Sequence, residues 1–77
     1  MISEHERVVL TEDLPEHDLK TGDIGVVVMI HGDHIGYELE IFGADGHTID
    51  VVSVYAHQVR SVKRHDILHV RVMPESA

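Results

Sequence analysis

Ile24-Gly25-Val26-Val27-Val28-Met29-Ile30 is an uncharged run of seven residues, five of them β-branched. It is too short for an independent helix. Leu19-Lys20-Thr21-Gly22-Asp23 precedes it as a turn, where Gly22 can take a positive φ without steric cost, and His31-Gly32-Asp33-His34-Ile35-Gly36 follows as a connector. The run is therefore a strand, apolar on both faces. Gly25 inside it predicts a bulge or sharp bend. Period-two signals continue outward in both directions. Arg7–Thr11 is a short β-branched run, and the polar, proline-bearing segment 12–18 is a loop. Tyr37-Glu38-Leu39-Glu40-Ile41 alternates, which places Tyr37, Leu39 and Ile41 inward and both glutamates in water. Gly43-Ala44-Asp45-Gly46 is a hairpin loop, residues 47–54 return as a strand, and Ala56-His57-Gln58 reads as one helical turn before Val59–Val62. No helical period runs through the chain.

Size and charge limit what such a chain can do. Seventy-seven residues form one small domain whose stability margin is thin unless something staples it. The absence of cysteine removes disulfides and thiolate metal sites. No stretch reaches the roughly 20 apolar residues of a membrane helix, and Met1–Arg7 lacks the regions of a secretory signal, so a soluble cytoplasmic bacterial-type protein is expected. Residues 1–59 hold twelve acids against Arg7 and Lys20, a charge of −10, whereas residues 60–77 carry +2. Polyphosphate recognition needs a basic footprint, so nucleic acid is disfavoured as a partner.

Five short strands with an early proline-bearing loop and a late one-turn connector describe an all-β protein, a small SH3-like barrel spanning residues 1–62. Residues 63–77 form an extension. Within it Ile67–Met73 alternates, with Leu68, Val70 and Val72 on one face and His69 and Arg71 on the other, and reads as an additional C-terminal strand. The pattern Asp13-Leu14-Pro15, Leu19-x-x-Gly22-Asp23-x-Gly25-x-Val27-Val28, Tyr37-x-Leu39-x-Ile41-Phe42, Asp45-Gly46 and Gln58-Val59-Arg60 resembles domain-of-unknown-function family 4926, a family of small bacterial domains. The Leu19–Val27 segment is also similar to the KOW-type motif of ribosomal and transcription-factor SH3-like barrels. The resemblance covers Val8–Val62, implies a fold, and supplies no activity and no site residues.

Eight histidines make metal binding worth weighing. His65 and His69 would share a helix face, but on a strand they stand roughly 13 Å apart at ~3.3 Å per residue. His31, Asp33 and His34 lie in a loop without a fourth ligand, a weak set beside the plainer reading of solvated loop histidines. No cofactor is expected. Ser3, Ser53, Ser61 and Ser76 sit in no elbow-like context, the acids are scattered, and a filled small barrel leaves no substrate cavity, so no enzyme is expected. Arg60, Lys63 and Arg64 are the only basic cluster, and its plainer reading is a strand end with a solvated turn.

A binding role remains. Val26–Ile30 and Val51–Val54 are apolar on both faces although a barrel covers only one, and the C-terminal strand lacks an obvious partner within the chain. Leu68, Val70, Val72 and Arg71 are therefore candidate self-association residues, giving a ring or a swapped dimer; the competing reading is that this segment folds back onto its own barrel. A positive tail meeting a negative body would favour head-to-tail contact. Glu12, Asp13, Glu16, Asp18, Glu38 and Glu40 form a candidate surface for a basic protein, as in an antitoxin or immunity partner. A KOW-like RNA or ribosome-associated module using Arg60, Lys63 and Arg64 is the alternative, and histidine-based metal binding a third.

Overall fold

Strand β2, Ile24–His31, occupies the middle of the sheet in the computed structural model, which describes residues 1–74. It pairs antiparallel with β3, Gly36–Phe42, and with β1, Arg7–Leu10. Strand β4, Thr48–Tyr55, continues beyond β3, and β5, Val59–Ser61, returns to pair with β1. The order is β4-β3-β2-β1-β5, all antiparallel, with single 3-10 turns at Pro15–His17 and Ala56–Gln58. The protein is all-β, and its strands fall where period-two hydrophobicity places them. No helix among the described residues is long and apolar enough to cross a membrane.

Register sorts the side chains onto two faces. Val27, Leu39 and Val52 stand opposite one another across β2, β3 and β4, as do Ile30, Tyr37 and Val54. These point inward: Val27 and Leu39 are fully buried and Tyr37, Val52 and Val54 nearly so. Val59 of β5 joins the same core as Val52 and Val54 of β4, so the two ends of the sheet bend over one apolar centre. Leu14 and Leu19 close the core from the β1–β2 loop, where their amides and carbonyls pair across the 3-10 turn. Burying these two leucines ties the polar loop to the sheet at little backbone cost, since its own amides are satisfied.

Three expectations change. The irregularity in β2 is not at Gly25; the register shifts between Val27 and Met29, leaving Val28 as the extra residue. Gly25 serves a close approach instead, because a Cβ there would meet Ile41 Cδ1 at 3.0 Å and Leu39 Cβ at 3.2 Å. Second, β4 and β5 form no ladder with each other, so the sheet does not close into a hydrogen-bonded barrel. Third, the additional C-terminal strand does not form within the chain. Residues 67–74 take no ladder. The chain turns at Lys63–Asp66, where the Asp66 amide donates to the Lys63 carbonyl at 3.0 Å, and its further path is set by side chains rather than by backbone pairing. Residues 75–77, the end of the expected extension, lie outside the described residues.

Candidate functional site

The tail and the cleft beneath it bring together groups far apart in sequence. Two arginine–aspartate contacts fix the tail. At the first, Arg60 grips Asp66 with both terminal nitrogens, at 2.8 and 3.0 Å, and the Lys63 amide donates to the same carboxylate at 2.6 Å. These donors hold the Asp66 carboxyl down at about 2. At the second, Arg71 reaches back to Asp23: its Nε donates to Oδ1 at 2.8 Å, a terminal nitrogen donates to Oδ2, and that same nitrogen donates to the Asp18 carbonyl at 2.9 Å. Asp18 can offer that carbonyl because it caps the 3-10 turn in the left-handed region, at φ 55°.

Asp23 itself is well covered, with 17% of its side chain exposed. Burial works to raise its pKa, but the Arg71 guanidinium and the Lys20 amide, 2.8 Å from Oδ2, outweigh that and hold the carboxyl below its ordinary value. The bonded fork is the arrangement for which arginine, with its planar set of donors, is suited and lysine is not. Beneath the tail lies a cleft of about 240 Å³, bordered by Leu19, Ile41, Phe42, Ile49, Val70 and Met73, and Met73 packs on the core.

The self-association candidates are thus divided. Arg71 is engaged within its own chain. Leu68, Val70 and Val72 are 54%, 94% and 90% exposed, and Ile67 beside them is 86% exposed. More apolar surface lies on the outward face of the sheet, where Met29, Val51 and Tyr55 are exposed and Tyr55 stacks on His57 at 5.8 Å. The neighbouring edge of β4 is blunted: the Val51 amide is taken by Asp50 Oδ1 and the Tyr55 amide by Gln58 Oε1, both at 2.8 Å. Capped edge amides discourage strand addition.

The six candidate acids belong to two places. Glu12, Asp13, Glu16 and Asp18 ride on the β1–β2 loop, whereas Glu38 and Glu40 stand on the outward face of β3. Asp13 is partly spent in holding that loop, accepting from the Thr21 amide at 2.8 Å and from its hydroxyl at 3.0 Å, which lowers its pKa. Glu12 faces His57 at 3.4 Å. Glu38 accepts from Ser53 at 2.9 Å and meets His31 Nε2 at 2.7 Å, and these bonds lower its pKa; Glu40 accepts from Thr48. The two glutamates expected in water are therefore half-buried and bonded across the strands.

Ser53 and His31 share an apolar cleft with Ile35 and Tyr55, and Glu38 bonds to both of them. The order of bonds is wrong for a nucleophile, since the carboxylate stands between serine and histidine and is held in its weakly basic form. The metal candidates do not assemble: His31 is given to Glu38, while Asp33 lies 3.8 Å from His34 Nδ1. That Nδ1 is buried without a hydrogen-bond partner, its ring edge-on to Tyr37 at 6.3 Å. Among the described residues no three His, Asp or Glu side chains are placed to share an ion. In the basic cluster Arg60 is neutralised by Asp66, which leaves Lys63 and Arg64 exposed.

The residue that sequence reasoning missed is Asp23, separated from Arg71 by 48 positions. It reads locally as a turn residue, and no short-range signal connects it to the tail. No curated protein and no solved structure matches the chain. The model of a family described as a domain of unknown function, DUF4926, matches residues 4–61, which span all five strands and stop just before the tail. With that much of its length matched, the chain belongs to the DUF4926 family.

Proposed function

We propose that this is a non-enzymatic protein-interaction module of the SH3-like kind that associates with copies of itself through its C-terminal tail. The observation that carries the reading is the exposure of Ile67, Leu68, Val70 and Val72, four large apolar side chains within six residues on a backbone that joins no sheet. Isolated exposed apolar residues are ordinary; a concentrated group on an unpaired segment favours a partner. Charge is not what carries the reading, because Arg60 and Arg71 are matched within the chain by Asp66 and Asp23.

Light scattering on the full chain tests this. The expected mass is a multiple of 8.6 kDa, falling to a single chain on dilution or when Val70 and Val72 are both replaced by aspartate. A single-chain mass at every concentration overturns the reading.

A second reading is an acidic partner for a basic protein, of the antitoxin or immunity kind. It is supported by the excess of ten negative charges over residues 1–59 and by the exposure of Glu12 and Glu16 on the β1–β2 loop. Replacing both by lysine should weaken capture of a basic partner and flatten its dependence on salt. The RNA-binding alternative is the weaker one, since Arg60 spends its donors on Asp66.

A further inference from the structure

We infer that the tail is exchanged between two copies, so that Arg71 of each chain seats on Asp23 of the other. This rests on the self-association proposed above and names the site that receives the tail. The grounds are three.

The Arg71–Asp23 contact is a docking contact rather than a continuation of the sheet. Three donated bonds hold Arg71, one to the Asp18 carbonyl and two to Asp23, and Met73 rests on the core beyond it. Every one of these contacts can be made identically by a tail arriving from a second chain. Their formation is therefore neutral in the choice between a closed monomer and an exchanged dimer.

The segment that decides that choice lies between the two clamps. Asp66 is fixed by Arg60 and the Lys63 amide, and Arg71 by Asp23; Ile67, Leu68, His69 and Val70 bridge them, with Ile67 and Val70 almost wholly exposed and Leu68 about half exposed. In the closed chain Ile67 and Val70 have almost no cover and Leu68 only part. In an exchanged pair the two bridges cross at a twofold axis, running antiparallel, and their alternating side chains cover each other. Five residues from Asp66 to Arg71 reach about 17 Å when extended, which limits how far apart the two bodies can stand. The gain from covering Ile67, Leu68 and Val70 exists only in the dimer.

The competing receptor is partly blocked. The free edge of β4 is the longest unpaired edge of the sheet, but Asp50 and Gln58 already occupy the Val51 and Tyr55 amides. Asp23, in contrast, is most of the way buried and depends on a guanidinium for its charge balance. A tail displaced from its own body has one matched site to go to.

Charge reversal tests the exchange on full-length chains. Asp23→Arg sets two cations against each other within one chain, and Arg71→Asp sets two anions. Each variant alone should lose the dimer, reading 8.6 kDa by light scattering where the parent chain reads twice that. Mixed in equal amounts, the two should regain the dimer mass in 1:1 composition, because both cross-chain pairs are then complementary. A parent that dimerises while the mixture stays monomeric overturns the exchange and leaves self-association standing. A parent that is monomeric at all concentrations overturns both.

Should a reversed variant fail to fold, Arg71→Lys gives an independent readout. Carbodiimide treatment of mixed 15N-labelled and unlabelled chains should join the lysine side chain to Asp23 in peptides carrying one label each. Cross-links only within like-labelled chains, at a concentration where the protein is dimeric, overturn the exchange.

Discussion

Gly36 stands opposite Tyr55 at the start of β3, and a Cβ there would lie 2.7 Å from the Val54 carbonyl oxygen. The obstacle is backbone, which cannot rotate away as a side chain can. Gly36→Ala should therefore push β4 from β3 and destabilise by about 1–3 kcal/mol, measured as a lower urea midpoint. Leu39 is fully buried at the centre of the core, and Leu39→Ala should cost about 2–5 kcal/mol through lost transfer energy and the cavity left behind. The role of Leu39 is readable from its place in Tyr37–Ile41, whereas that of Gly36 is not, since the conflict is with a carbonyl 18 residues away. Asp66 has a folded pKa depressed from 3.8 to about 2 by Arg60 and the Lys63 amide. Its contribution is fully present above 3.8, and protonation removes it as pH falls toward 2. Asp66→Asn should lower the melting temperature at neutral pH and flatten its fall between those two values; an identical acid profile in both chains would disconnect Asp66 from stability.

At the scale of elements, hydrophobic period is informative about conformation and silent about pairing. It places β3 and β4 because each carries an inward pair, Tyr37 and Leu39, Val52 and Val54, that strand alternation collects on one side, whereas in β2 Val27 and Ile30 share that side only because the bulge at Val28 shifts the register. The same period in Leu68-x-Val70-x-Val72 produces no ladder, for alternation does not supply a neighbour with free amides and carbonyls. The β1–β2 loop shows the opposite failure. Its acids and Pro15 conceal that Leu14 and Leu19 are core residues, held by backbone bonds to each other across the loop. That loop also carries Asp18, whose carbonyl anchors Arg71, so Leu19→Ala should loosen the tail as well as the core. Hydrogen exchange should show faster amide exchange in both the 14–19 loop and the Arg71–Met73 segment. Acceleration in the loop alone would uncouple them.

For the whole molecule the net charge of −8 bears on association in a direction opposite to that suggested by its distribution along the chain. The split of −10 and +2 points to a positive tail attracted by a negative body. Within the fold, however, Arg71 is already matched by Asp23 and Arg60 by Asp66, so of the four cations in residues 60–77 only Lys63 and Arg64 are left for a neighbour. If the tail is exchanged, the Arg71–Asp23 pair exists before and after dimerisation and drops out of the difference. What remains is repulsion between two bodies of like sign, screened over about 30 Å at 0.01 M salt and about 10 Å at 0.1 M. Raising salt across that range should therefore strengthen the dimer, lowering its dissociation constant in sedimentation equilibrium. Head-to-tail attraction between an open tail and an acidic surface predicts weakening instead, because screening then removes the favourable term. The sign of the salt dependence separates the two assemblies: weakening would mean that an acid other than Asp23, presented on the outside, receives the tail.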